Sequence, residues 1–154
     1  MCDWQQIRSN ADIDFLLSEY HGFHDSCLVA LHYRSGSYVN RKNAMAYGSP
    51  ENHEVRMLFH SQCCKYTLEL YFTGVRKCSF AGFQENYFCE IFDCHLAFHT
   101  DLIKHRDMPL IVWADWAGFS PKTFVEDELL HEPHPTYVVA ENLKWRFIKY
   151  DTDM

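Results

Sequence analysis

Ten histidines among 154 residues are the feature of this chain best equipped for chemistry, because imidazole is both a common metal ligand and the side chain that titrates near neutral pH. Two groups have spacing that matters. In His21-Gly22-Phe23-His24-Asp25-Ser26 an imidazole and a carboxylate are adjacent, which serves either as a ligand pair or as an acid–base couple. The alternative is a loop in which Asp25 ties down backbone N–H groups and His24 bonds locally. Further on, Asp93, His95 and His99 alternate along a strand-like stretch, where residues two apart lie about 7 Å from each other on one face. Asp93 and His95 can therefore reach toward one ion with ligands from another element, although an exposed polar sheet face gives the same pattern without metal. His24, Asp25, Asp93 and His95 are the expected metal ligands, with His32 and His60 as additional donors. A divalent ion held there would activate water for hydrolysis.

Other constellations fail on inspection. Glu128-Leu129-Leu130-His131 has the Glu-x-x-His spacing of di-iron bundles, but that chemistry takes two such pairs on a four-helix frame. His131-Glu132-Pro133-His134 is one residue short of the zinc-protease motif, and its proline breaks the helix that aligns the imidazoles. The His24-Asp25 dipeptide of helical phosphohydrolases needs partners on neighbouring helices, whereas here a strand follows. Ser26 and Cys27 have no nucleophile elbow or oxyanion element beside them, so no catalytic residue is assigned. Asp115 lies in the apolar run Leu110 to Trp116 and needs a partner, for which Arg146 or a histidine is expected. Trp113, Trp116 and Trp145 are either core or a platform for a sugar or peptide.

Composition bounds the class. A chain this long buries roughly 69% of its unfolded surface, and 47% hydrophobic with 16% aromatic residues argues against disorder. One domain over 1–154 is expected. Seven cysteines, without a Cys-x-x-Cys pair, fit reduced thiols. The first residues carry no basic segment followed by an apolar run, and no stretch of about 18 apolar residues occurs. A cytoplasmic protein without membrane contact is therefore the expectation. A net charge of -7 with dispersed basic residues disfavours nucleic acid and favours a basic protein partner. Glu126, Asp127, Glu128, His131 and Glu132 form the most acidic stretch, either a solvated face or the partner-binding surface.

The elements that must position these residues follow from periodicity. Ile13, Leu16, Leu17 and Tyr20 recur at helical spacing, with Asn10 or Asp12 as N-cap and Gly22 as stop. Cys27, Val29, Leu31 and Tyr33 then alternate as the first strand of a hairpin turning at Ser35-Gly36-Ser37. Strands are expected through Val55–Phe59, Tyr66–Phe72, Phe88–Phe98, Leu110–Trp116 and Tyr137–Phe147. Ser120 with Pro121 opens a short second helix. The fold class is α+β: a mostly antiparallel sheet, sandwiched or curved, with an N-terminal helix and one short additional helix.

Gly22-Phe23-His24-Asp25-Ser26, set between a helix and a strand, resembles a Phe-His-Asp-Ser/Ala motif of small uncharacterised bacterial proteins. Leu68-Glu69-Leu70-Tyr71-Phe72-Thr73-Gly74-Val75 is similar to their sheet. Some of that group resemble immunity proteins of polymorphic toxins, which act by binding. The resemblance covers the first half of the chain and implies an acidic binding module that neutralises a basic toxin. Two other classes compete with it: the metal-dependent hydrolase, and a homo-oligomeric structural domain whose sheet faces pair.

Overall fold

The computed structural model describes residues 3–125 and 132–149. Its strands are β1 (Gln5–Ile7), β2 (Ser26–Arg34), β3 (Tyr38–Val39), β4 (Met45–Ala46), β5 (Glu54–Ser61), β6 (Tyr66–Ser79), β7 (His95–His99), β8 (Leu110–Ala114) and β9 (Tyr137–Lys149). One helix, α1 (Asn10–Glu19), follows β1, and short 3-10 turns occupy His21–Phe23 and Pro50–Asn52. This is the expected α+β class with a mostly antiparallel sheet.

Ser9, not Asn10 or Asp12, caps α1. Its hydroxyl accepts from the Asp12 N–H at 3.3 Å, while the Asp12 carboxylate accepts from the Ser9 N–H at 2.9 Å. The reciprocal pair satisfies two orphan donors of the first turn, which makes Asp12 the third helical residue rather than the cap. Ile13 and Leu16 then face inward, followed by Tyr20 and Phe23.

The main sheet has seven strands in the order β2-β5-β6-β9-β8-β7, with β1 also on β9. β8 and β1 share one edge of β9 end to end, β8 along 137–140 and β1 along 143–145. The turn after β2 does not close a two-strand hairpin. Residues 35–53 make an excursion through the separate β3–β4 pair before β5 returns against β2. The alternation expected along β2 is also interrupted. A bulge between Leu28 and Ala30 pushes Val29 outward and puts Leu28 and Leu31 against the core, leaving Tyr33 exposed, because an extra residue in one strand reverses the faces beyond it.

Side chains from β5, β6 and β9 close over α1 in a core that includes Met57, Phe59, Leu70, Phe72, Leu143 and Trp145. At its centre the rings of Phe23, Phe59 and Trp113 sit 5.2–5.7 Å apart, in the tilted and edge-on arrangements that aromatic quadrupoles favour. A second, smaller core explains why β8 is apolar on both faces. Leu110, Val112, Ala114, Tyr137 and Val139 are covered by Phe119 with Leu102, Ile103, Met108 and Phe124. Gly74 in β6, at φ +64°, lies against Glu141, where a Cβ would meet the Glu141 side chain at 2.7 Å.

Two expected elements differ. The strand read over Phe88–Phe98 is confined to His95–His99, since residues 80–90 run outside the ladder and Ile91 makes only an isolated bridge to Ser26. At Ser120 the chain makes a single turn, with the Thr123 and Phe124 N–H groups on the Ser120 carbonyl, and Phe124 and Val125 are not helical. The rest of the expected second helix lies outside the described residues.

Candidate functional site

The turn after α1 is backbone under strain. His21, Gly22 and Phe23 are consecutive left-handed residues at φ 51°, 62° and 67°, and Asp25 follows at φ 57°. For a residue with a side chain that conformation costs about 1–2 kcal/mol, so surrounding structure must hold it. Phe23 is completely buried, its carbonyl accepts the Ser26 hydroxyl at 2.5 Å, and the Asp25 carbonyl accepts from the Gln62 N–H at 2.9 Å. Such over-determined strain concentrates at functional positions. What it presents here is the His24-Asp25 pair.

His24 Nδ1 lies 2.9 Å from Asp25 Oδ2. The Asp25 carboxylate is also hydrogen-bonded to Glu90, and that bond, followed by the one from His24, holds Asp25 below the usual carboxylate range. The reciprocal bond with Asp25 pushes Glu90 up. Two carboxyl groups that share a proton in this way titrate as a unit. The Cys63 thiol adds a weak contact to Asp25 Oδ2 at 3.7 Å. Beside this cluster is a cleft of about 350 Å³ lined by Cys27, His60, Phe88, Cys89 and Glu90 among others.

The other two expected metal ligands have separate partners. Asp93 Oδ1 accepts from the Ala117 N–H at 3.1 Å, and His95 Nε2 lies 2.9 Å from His99 Nε2, with Phe119 against its ring. Among the described residues, no three His, Cys, Asp or Glu side chains are grouped so as to hold a metal ion. Of the expected acidic surface, Glu126, Asp127, Glu128 and His131 lie outside the described residues, and Glu132 is exposed. Asp115 does not pair with Arg146, which bonds Glu69 instead. Asp115 accepts from the Thr136 N–H at 3.0 Å, with His134 as its nearby histidine, and burial pushes it up to about 6. Trp113 and Trp145 belong to the core, while Trp116 is exposed.

Periodicity missed the loop 80–92. Phe80, Phe83, Tyr87, Phe88 and Phe92 are all exposed there, Phe83 to 91% and Phe88 to 88%. The same stretch, extended to Asp93, carries Glu85, Glu90 and Asp93 without any Lys or Arg. It is nevertheless anchored. The Ala81 N–H donates to Thr136 Oγ1 at 2.9 Å. The Gln84 side-chain amide exchanges two bonds with the His134 backbone, at 2.8 and 3.4 Å, and the Ile91 N–H donates to the Ser26 carbonyl at 2.7 Å. Between the loop and the sheet is a cavity of about 490 Å³ floored by Leu28, Ile91 and Trp113, with Asp115 and Glu90 on its walls. The available sequence signal was five aromatics without regular alternation in a window lacking positive charge.

No protein-family model, no curated protein and no solved structure matches this chain. Among the described residues no helix is long and apolar enough to cross a membrane.

Proposed function

We propose that this chain is a small acidic cytoplasmic binding module that docks a basic protein partner through the loop 80–93, in the way an immunity protein occludes a basic toxin. The observation that carries the reading is five exposed aromatic side chains in one anchored loop whose only charges are carboxylates. Contiguous exposed apolar surface marks interaction sites, and aromatic residues dominate the energetic centres of interfaces. The carboxylates add charge complementarity, which speeds encounter with a basic partner and repels acidic ones. Glu132, exposed and two residues before His134, which bonds the loop, adds a carboxylate at that end.

The test is a binding titration of the purified chain against a partner isolated from the native host. A Phe83→Ser/Phe88→Ser variant should weaken a 1:1 complex at least tenfold with its melting temperature unchanged, and added salt should weaken the wild-type complex. Equal binding by wild type and variant would remove the loop from the interface.

A second reading, self-association, is favoured by the β3–β4 hairpin. Tyr38, Val39, Met45 and Tyr47 are exposed there beside Arg41 and Lys42, with no carboxylate between 38 and 47, so the chain carries its own basic, apolar surface. Sedimentation of Arg41→Glu/Lys42→Glu against wild type decides it: a mass that rises with concentration only in the wild type supports a homo-oligomer. The metal-dependent hydrolase rests on the His24–Asp25 contact alone, and elemental analysis of untagged protein tests it.

A further inference from the structure

Cys27 and Cys89 come together from distant parts of the sequence. Cys27 sits near the start of β2 and Cys89 in the loop 80–92, on two segments joined by the antiparallel Ser26–Ile91 bridge. Both line the same cleft beside Asp25. Across that cleft the Cys89 thiol is close enough to act on Cys27 and help raise it, and both thiols are free. They differ in access: Cys89 is exposed, whereas Cys27 is partly buried and burial raises its thiol. That asymmetry suits a two-step exchange, because attack needs an accessible sulfur and resolution needs only a neighbouring one.

We infer that Cys27 and Cys89 form a thiol–disulfide exchange site that takes a low-molecular-weight disulfide, of the glutathione type, and closes into an intramolecular Cys27–Cys89 bond. In the first step the Cys89 thiolate attacks one sulfur of the small disulfide. A mixed disulfide forms on Cys89 and one small thiolate leaves. In the second step Cys27 gives its proton to water, and its sulfur attacks Cys89 Sγ and expels the second small thiolate. Two protein thiols are oxidised to one disulfide, and one small disulfide is reduced to two thiols. Cys63 takes no part, since it does not line that cleft. The new bond lies next to the Ser26–Ile91 bridge and fastens the aromatic loop to β2 covalently.

The experiment incubates the full chain with oxidised glutathione, follows intact mass, and maps disulfide-linked peptides. Wild type should lose two hydrogens and two titratable thiols, with the linkage mapped to Cys27 and Cys89. Cys27→Ser should stop at a stable glutathione adduct on Cys89, and Cys63→Ser should behave as wild type. Because Cys27→Ser changes one atom at a partly buried position, far-UV circular dichroism and the melting temperature report whether it remains folded. If it does not, Cys89→Ser, at an exposed position, must abolish the two-hydrogen loss by itself. Wild type that stops at the mixed disulfide, or a bond mapped to any other cysteine pair, overturns the inference. The outcome is independent of whether the loop docks a partner.

Discussion

The Ile91 N–H donates to the Ser26 carbonyl across 2.7 Å, and this bond joins the aromatic loop to the edge strand that begins in the strained turn. Ser26 serves both sides of the junction, because its hydroxyl donates to the Phe23 carbonyl at 2.5 Å in a fully buried setting. Ser26→Ala keeps the backbone bond and orphans that carbonyl, a loss of about 1–2 kcal/mol. Urea unfolding should show a lower midpoint with unchanged slope. A midpoint equal to wild type would mean that the turn is held without the hydroxyl.

Asp115 makes stability depend on pH in an uncommon direction. Burial raises its pKa from 3.8 to about 6, so between those values the folded state holds a proton that the unfolded state releases. Its contribution is fully present below about pH 4 and is lost as pH rises toward 6. Asp115→Asn retains an oxygen for the Thr136 N–H and removes the penalty of burying charge. The variant should exceed wild type by about 3 kcal/mol at pH 7.5 and match it at pH 4, as read by denaturant titrations at the two pH values.

His95 acts with the opposite sign. Burial, with the adjacent His99 as a second cause, lowers its pKa from 6.5, so the unfolded state takes up the proton first and stability is lost as pH falls below that value. Phe119 lies against its ring, and the Asp101–Lys122 pair sits near His99. Between pH 7.5 and 5.5 the melting temperature of wild type should fall more than that of His95→Leu. Parallel curves for the two proteins would show that the imidazole pair does not govern acid sensitivity.

Glu69 holds the outer face of the sheet together. Its side chain is only 7% exposed, with Arg146 Nε at 2.6 Å and Arg56 Nη1 at 3.6 Å. Arg56 in turn stacks on Tyr71, whose hydroxyl donates to Glu54. Replacing Glu69 with Gln leaves two guanidinium groups facing a neutral amide, and we expect a loss of about 2 kcal/mol, below the usual cost of breaking a fully buried pair because both arginines reach solvent. Chemical denaturation of the variant measures it, and a loss under a few tenths of a kcal/mol would place the network's weight on Arg56 and Tyr71.

Residue patterns alone determined the strands whose two faces differ in polarity. Val55, Met57 and Phe59, then Leu68, Leu70 and Phe72, are buried at every second position, because a half-solvated antiparallel strand imposes period two on its side chains. The helix was equally legible at Ile13, Leu16 and Tyr20, whereas adjacency left His24 and Asp25 open to pairing or to separate local bonds, and the left-handed turn decided for contact. Only the tertiary structure decided the rest. A bulge at Val29 reversed the faces of β2, and periodicity cannot anticipate an inserted residue. Phe88 and Phe92 read as one face of a strand running to Phe98, yet the ladder begins only at His95 and leaves both exposed. Glu90, Cys89 and Cys27 acquired their neighbours when one bridge brought residues 26 and 91 together. That pairing is long-range, and local sequence fixes what each segment can bury but not which distant segment it will meet.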